Sequence, residues 1–390
     1  MGELIVVLKA LDMDVATGIL AAQHIAGLVG EHAIRIARPL DQDQIQPASL
    51  DLRLGETAYR VRASFLPGPA RTVAERLTRV SLHEISLLDG AVLEVGCVYI
   101  VPLLETFALP AGLSASANPK SSTGRLDVFT RVITDHAREF DQVPDGYHGP
   151  LYLEVSPRSF PVVVRTGSRL SQVRFRLGHS VLSDAALADL DREQTLVAAR
   201  SPLISHGISL SIDLHGGSGG LVGYRGKRHT GVIDMDRKAA LEIRDFWEPI
   251  HAYGSGPDYG SLVLDPDQFY ILVSNEAVHV PPDYAAEMVP FDPLVGEFRV
   301  HYAGFFDPGF GHSAAGGTGS RAVLEVRSHE VPFILEHGQT IGRLVYEKML
   351  ARPSMLYGEI ATSNYQGQGL KLSKHFRAMP EAPPHEGASV

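Results

Sequence analysis

The chain has 390 residues, 44% of them hydrophobic and 21% charged, with a formal net charge of -10 at neutral pH. That size suits two domains of about 190 residues, each able to bury its own core, and the acidic balance argues against nucleic acid as a partner, which needs a basic face. The single cysteine, Cys97, excludes an internal disulfide and a cysteine-rich zinc site.

No signal peptide and no apolar run of the roughly 20 residues that cross a bilayer is evident, so a cytoplasmic protein without membrane contact is expected. In chain order, helical patterning is limited to about Asp14–Leu28, a short stretch near Ala70–Leu77, and Ser183–Ala199, which is polar on one side. Short β-branched or alternating runs at Ala91–Val101, Leu151–Val155, Phe160–Val164, Leu262–Val273 and Arg321–Val326 read as strands separated by Gly, Pro and Asp turns. A glycine cluster at Gly216, Gly217, Gly219 and Gly220 reads as a flexible turn, and the proline-bearing stretch from Met379 reads as a frayed tail.

The same pattern runs twice. At an offset of 171 residues Tyr99-Ile100 matches Tyr270-Ile271, Glu105 matches Glu276, Leu153-Glu154-Val155 matches Leu324-Glu325-Val326, and Gly167 matches Gly338. Both copies start alike, with Ser49-Leu50-Asp51-Leu52 answered by Ser211-Ile212-Asp213-Leu214 at an offset of about 162. This duplication implies two strand-rich units, residues 1–199 and 200–378, followed by a tail at 379–390.

The chemistry of the two copies is unequal. Copy one carries Lys120-Ser121-Ser122-Thr123-Gly124-Arg125, two basic side chains around three hydroxyls and a glycine; copy two has Phe291-Asp292-Pro293-Leu294-Val295-Gly296 there. Such a loop suits phosphate oxygens, although it lacks the glycines and the Gly-Lys-Ser/Thr ending of a P-loop; the plain alternative is a polar surface turn. Glu154 and Glu325 each point away from two apolar neighbours in their strands. Each is either a carboxylate on a solvent face or one in a cleft, where desolvation raises its pKa and suits it to move protons.

Phe305-Phe306-Asp307-Pro308-Gly309-Phe310-Gly311 combines a strong turn signal with aromatics that either wall a planar base or plug a hairpin. Copy one has the looser match Val143-Pro144-Asp145-Gly146-Tyr147-His148-Gly149. Tyr365-Gln366-Gly367-Gln368-Gly369, present only in copy two, reads as a flap over a polyphosphate or as a Gly/Gln tail.

Taken in order, these residues resemble the deoxycytidine triphosphate deaminase family, which shares its fold with the trimeric deoxyuridine triphosphatases. The family's Arg-Ser-Ser-x-x-Arg loop corresponds to Lys120 through Arg125, with Lys for the first Arg; its Asp-Pro-Gly turn and catalytic Glu correspond to Asp307-Pro308-Gly309 and Glu325; its Tyr-x-x-Gln segment corresponds to Tyr365 and Gln368. The resemblance implies a mainly β, duplicated dUTPase-like (β-clip) fold of mostly antiparallel strands with a few short helices. It implies deamination of dCTP to dUTP and ammonia without zinc, Glu325 moving the proton while Ser121 and Arg125 hold water and stabilise charge. Lys120, Ser122, Tyr365 and Gln368 would contact the nucleotide, with Mg2+ accompanying the triphosphate, and Asp307 and Phe310 would line the sugar pocket.

Because the loop exists only in copy one and the turn and tail only in copy two, a composite site is expected. A ring of three cannot alternate two kinds of unit, so the competing arrangement pairs first copies with one another and uses Glu154 as the catalytic acid. A homo-oligomer with threefold or pseudo-threefold form is expected from the family. The rival functions are a dUTP diphosphohydrolase, an enzyme performing both steps, and a non-enzymatic deoxynucleotide sensor.

Overall fold

The computed structural model describes residues 17–216, 220–252, 259–290, 298–300, 304–328, 330–359 and 363–377. Gly217, Gly219, the stretch Phe291 to Gly296 and the tail from Met379 lie outside the described residues.

Helices are few and short. Ser183 caps Asp184–Gln194 by accepting from the Ala186 amide, and Thr195 ends it in a left-handed conformation. Thr72 and Glu75 form a reciprocal capping box on Val73–Val80. The first helix is Ala22–Gly30, later than the 14–28 expected, of which 14–16 are not among the described residues. Two expected strands are each split. Ala91–Leu93 and Val98–Ala108 are separated by a turn at Gly96 with φ 76°, while Ser261–Leu264 and Phe269–Val278 are separated at Pro266 and Asp267, φ 57°. In both, a left-handed residue turns the chain where apolar content alone suggested continuity.

The 171-residue offset reappears as strand pairing. Arg169–Leu177 lies antiparallel to Leu113–Pro119, and Thr340–Lys348 lies antiparallel to Tyr284–Pro290. The Leu-Glu-Val strands His148–Pro157 and Ser320–Ser328 pair with Val98–Ala108 and Phe269–Val278.

A duplicated dUTPase-like β-clip is nevertheless not what these strands build, and that expectation is corrected. The chain is mainly β, and its described residues are arranged as five sheets of three to six strands and one two-stranded ladder. One sheet is assembled from both halves: Ile233–Asp234 runs parallel to Val162–Val164, which pairs with Ala91–Leu93. The amides of Ile233 and Met235 donate to the carbonyls of Pro161 and Val163, each at 3.0 Å. The largest core crosses the same boundary, with Phe160 packed edge-on against Phe246 and Trp247. Alternation of apolar residues identifies strands, but it does not say which half supplies a strand's next neighbour. Among the described residues no helix is long and apolar enough to cross a membrane.

Buried ion pairs and a hydrogen bond tie the halves together. Arg174, fully buried, donates to the Asp307 carboxylate at 3.2 Å and to the carbonyls of Ala286 and Phe306. Arg327 pairs with Asp127, and Asn118 donates to Glu287 at 2.9 Å.

Candidate active site

Pro119 ends its strand, and the Lys120 amide donates to Leu170 at 2.9 Å, fixing where the next turn begins. Residues Ser121–Gly124 then form a single helical turn. Ser122, Thr123, Gly124 and Arg125 are buried, so the loop is not a surface turn.

From the other half, the Asp307-Pro308-Gly309 turn presents Asp307 and Phe310. Gly309 has φ +97°, and a Cβ there would meet the Tyr357 carbonyl at 2.8 Å, so this turn requires glycine. Phe306 and Phe310 stack edge to face, 5.1 Å apart.

These elements enclose one cavity of about 370 Å3. Lys120, Ser121, Ser122 and Arg125 line it from the first half; Asp307, Phe310, Glu325, Tyr365 and Gln368 line it from the second. Glu154 does not line it. That carboxylate is 1% exposed and bound by Arg131 through Nε at 3.0 Å and Nη2 at 2.5 Å, while Arg131 stacks over Phe140. Both Leu-Glu-Val glutamates are therefore buried, and the solvent-face reading fails for each.

At the inner end, Glu325 Oε1 lies 3.8 Å from Arg125 Nε. Burial pushes the Glu325 carboxyl up to about 7, with the Arg125 charge only partly opposing the shift. Arg125 is held by its Nη1 hydrogen bond to the Lys371 carbonyl at 2.9 Å and by the Tyr365 ring, 3.9 Å from its guanidinium carbon. Its Nε is buried without a hydrogen-bond partner, as is Gln368 Oε1. Buried polar atoms of this kind call for a ligand or water group to satisfy them. Gln368 itself is fixed by donating to the Arg321 carbonyl at 3.0 Å. Burial also raises the Asp307 carboxyl, against the pull of Arg174.

The outer end is crowded with charge. Lys120 is ion-paired with Asp51, and Arg169 pairs with Asp51 at 3.3 Å and with Asp43 at 2.9 Å. Lys238 and Lys374 line the same end. Asp51, Arg169, Lys238 and Lys374 were not singled out as site residues by the sequence. Asp51 lies in the Ser-Leu-Asp-Leu element, where it served only as a marker of the repeat; Lys374 follows the Tyr-x-x-Gln segment, where apolar Leu372 and Phe376 mark an anchored stretch. Among the described residues no group of three or more His, Cys, Asp and Glu forms a metal-binding cluster.

A near-neutral buried acid beside an arginine, at the inner end of a cavity whose mouth carries several cations, defines an acid–base enzyme for a small anionic substrate. The chain belongs to the 2'-deoxycytidine 5'-triphosphate deaminase family, whose N-terminal domain model matches residues 16–179 and whose C-terminal domain model matches residues 183–376. The crystal structure of 2'-deoxycytidine 5'-triphosphate deaminase from Agrobacterium tumefaciens is similar with a TM-score of 0.82 and 65% identity, covering 87% of this chain and 100% of that one. A protein of Coprothermobacter proteolyticus named dCTP deaminase, dUMP-forming, is 29% identical over 148 residues, 36% of this chain and 73% of that protein. A dCTP deaminase of Halorubrum lacusprofundi is 32% identical over 144 residues, 36% of this chain and 68% of that protein.

Proposed function

We propose that the chain removes the amino group of dCTP and carries the nucleotide on to dUMP, releasing ammonia and diphosphate. This corrects the expected end product, dUTP: the relative from Coprothermobacter proteolyticus, and others from Dictyoglomus and Corynebacterium, are named dUMP-forming. The observation that carries the reading is the meeting of Glu325 with Arg125, from opposite halves, in one cavity with the Ser121-Ser122 hydroxyls.

In this proposal the first repeat, 1–199, supplies the Ser/Arg loop, and the second, 200–378, supplies the acid, the turn and the closing segment. The Glu325 carboxylate takes a proton from water as the water oxygen bonds C4 of cytosine, and it delivers that proton to N3. Its value of about 7 leaves both protonation states accessible near neutral pH. Arg125, with an unused Nε donor, and Ser121 hold the water and stabilise the charge that develops as C4 becomes tetrahedral. A second proton transfer to the amino group lets ammonia leave.

Asp307 and Phe310 line the sugar, Tyr365 and Gln368 contact the nucleotide, and Ser122 and the outer cations receive the phosphates. In the second reaction water adds to the α-phosphorus and the bond to the β-phosphate oxygen breaks, so that diphosphate departs from the cationic end. No zinc has a role here, because Glu325 activates the water. Asp51 and Asp43 are engaged by Lys120 and Arg169, so these residues do not form a ready cation cage. Mg2+ belongs to the proposal only as a companion of the triphosphate, and no step passes through it. Residues from both halves of one chain line the cavity, and the proposal keeps the threefold or pseudo-threefold homo-oligomer expected from the family.

The test is incubation of the protein with dCTP and Mg2+, with ammonia, dUTP, dUMP and diphosphate all measured. Equal yields of ammonia, dUMP and diphosphate are expected. Accumulation of dUTP without diphosphate, or no ammonia at all, overturns the proposal.

A further inference from the structure

Lys374 stands apart from the other cations of the cavity, of which Lys238, also without an ion pair among the described residues, is exposed to solvent. Lys120 and Arg169 are committed to Asp51 and Asp43, and Arg125 donates to a carbonyl at the inner end. The Lys374 ammonium is half-buried in the wall and makes no hydrogen bond or ion pair among the described residues.

Its backbone, in contrast, is tightly held. The Ser373 hydroxyl donates to the carbonyl of Ser122, inside the hydroxyl loop, at 2.8 Å. His375 Nε2 hydrogen-bonds the Met235 carbonyl at 3.0 Å, and the Lys374 carbonyl accepts from Ala239 at 3.0 Å. Phe376 is packed edge-on against Phe246 and Trp247 in the core. A long flexible side chain is thus carried on a fixed stem, beside the loop proposed to cradle phosphate. Burial, and then the neighbouring cations Lys120 and Lys238, lower the Lys374 ammonium to about 8, with Asp51 opposing and Arg169 adding to the depression. An environment hostile to an unpartnered cation is one that an anionic ligand relieves.

We propose that Lys374 is a specificity-determining residue that receives the outer phosphates of the nucleotide and makes the site select triphosphates over shorter forms. This rests on the cavity being a nucleotide site, as argued above. Lys120 can turn from Asp51 to phosphate only by giving up an existing ion pair, whereas Lys374 gives up none. A charge-assisted contact of this kind contributes about 1.5–3 kcal/mol, or roughly 10- to 150-fold in affinity.

The experiment compares wild type with Lys374→Met and Lys374→Arg in two assays: ammonia release from dCTP and dCMP, and competition by inorganic triphosphate. For Lys374→Met, the KM for dCTP and the inhibition constant of inorganic triphosphate are expected to rise roughly 10- to 100-fold. Its kcat should stay within about threefold and its use of dCMP should not change, while Lys374→Arg restores most of the triphosphate affinity. In wild type the KM for dCTP should climb as pH passes above about 8, and in Lys374→Arg it should not. A folded Lys374→Met protein with unchanged KM and unchanged inhibition by inorganic triphosphate overturns the proposal, as does a loss confined to kcat. If Lys374→Met does not fold, Lys374→Arg decides by whether its KM stays flat with pH. If wild type releases no ammonia, the deaminase reading fails, and triphosphate binding by wild type and Lys374→Met, followed through thermal protection, still decides the role of Lys374.

Discussion

The two Leu-Glu-Val strands place chemically identical glutamates in opposite circumstances. Glu154 is enclosed and bonded by Arg131, whose guanidinium also donates to Ser64 and stacks on an aromatic ring. Glu325 is equally enclosed, but its arginine stands 3.8 Å away and belongs to the other half of the chain. In the first pair both Arg131 bonds fall on Glu154 Oε1, and Oε2 is buried without a partner away from the cavity; in the second, the unused donor is Arg125 Nε, on a residue that lines the cavity. Burial is common to both; what differs is that Glu154 is hydrogen-bonded by its arginine away from the cavity, while Glu325 faces the cavity with its arginine at 3.8 Å, and the proposed division into structural acid and proton carrier rests on that difference.

This contrast can be broken in several places. After removal of the Glu325 carboxylate itself, the largest effect expected is from Arg125→Ala, which removes charge stabilisation at the inner end and should lower kcat by about 100- to 1000-fold in steady-state deamination assays. Second is the pH profile. The base form of Glu325 is the carboxylate, so activity is present above about 7 and declines as pH falls through that value. It should drop by about tenfold per unit on the acid side. A pH-rate profile that stays flat from 8 to 5 contradicts this.

Third is stability. Glu325 rises from 4.5 to about 7 on folding, so the folded state holds a proton that the unfolded chain has released between those values. Its contribution therefore falls as pH rises through that window, by on the order of 3 kcal/mol. Glu325→Gln should be more stable than wild type at pH 8 and similar at pH 4, as read from denaturant melts. Smallest is Glu154→Gln, which weakens the buried ion pair with Arg131; it should lose roughly 1–3 kcal/mol in the same melts, while deamination stays within about twofold.

Much of the candidate site's lining was legible in the sequence. Lys120, Ser121, Ser122 and Arg125, read from one copy, and Asp307, Phe310, Glu325, Tyr365 and Gln368, read from the other, all line one cavity. They were legible because short motifs carry their chemistry with them: hydroxyls between cations, a turn that demands glycine, an acid between apolar neighbours. The arrangement of the strands was not. Ile233 joins a sheet begun at Ala91, and no periodicity along a strand encodes that pairing. Arg131 belongs to no motif, yet it is the direct cross-strand partner of Glu154 and pairs with its carboxylate. Lys374 was hidden for another reason: its proposed role rests on an ammonium with no partner among the described residues, and a sequence does not display missing contacts.

The most direct test of the account is ammonia release from dCTP by Glu325→Gln and Glu154→Gln proteins prepared side by side, with melts confirming that each is folded. The account predicts a loss of about 100- to 10,000-fold in the Glu325 variant and near-normal turnover in the Glu154 variant. Near-normal turnover by Glu325→Gln, or an inactive yet folded Glu154→Gln, would contradict it.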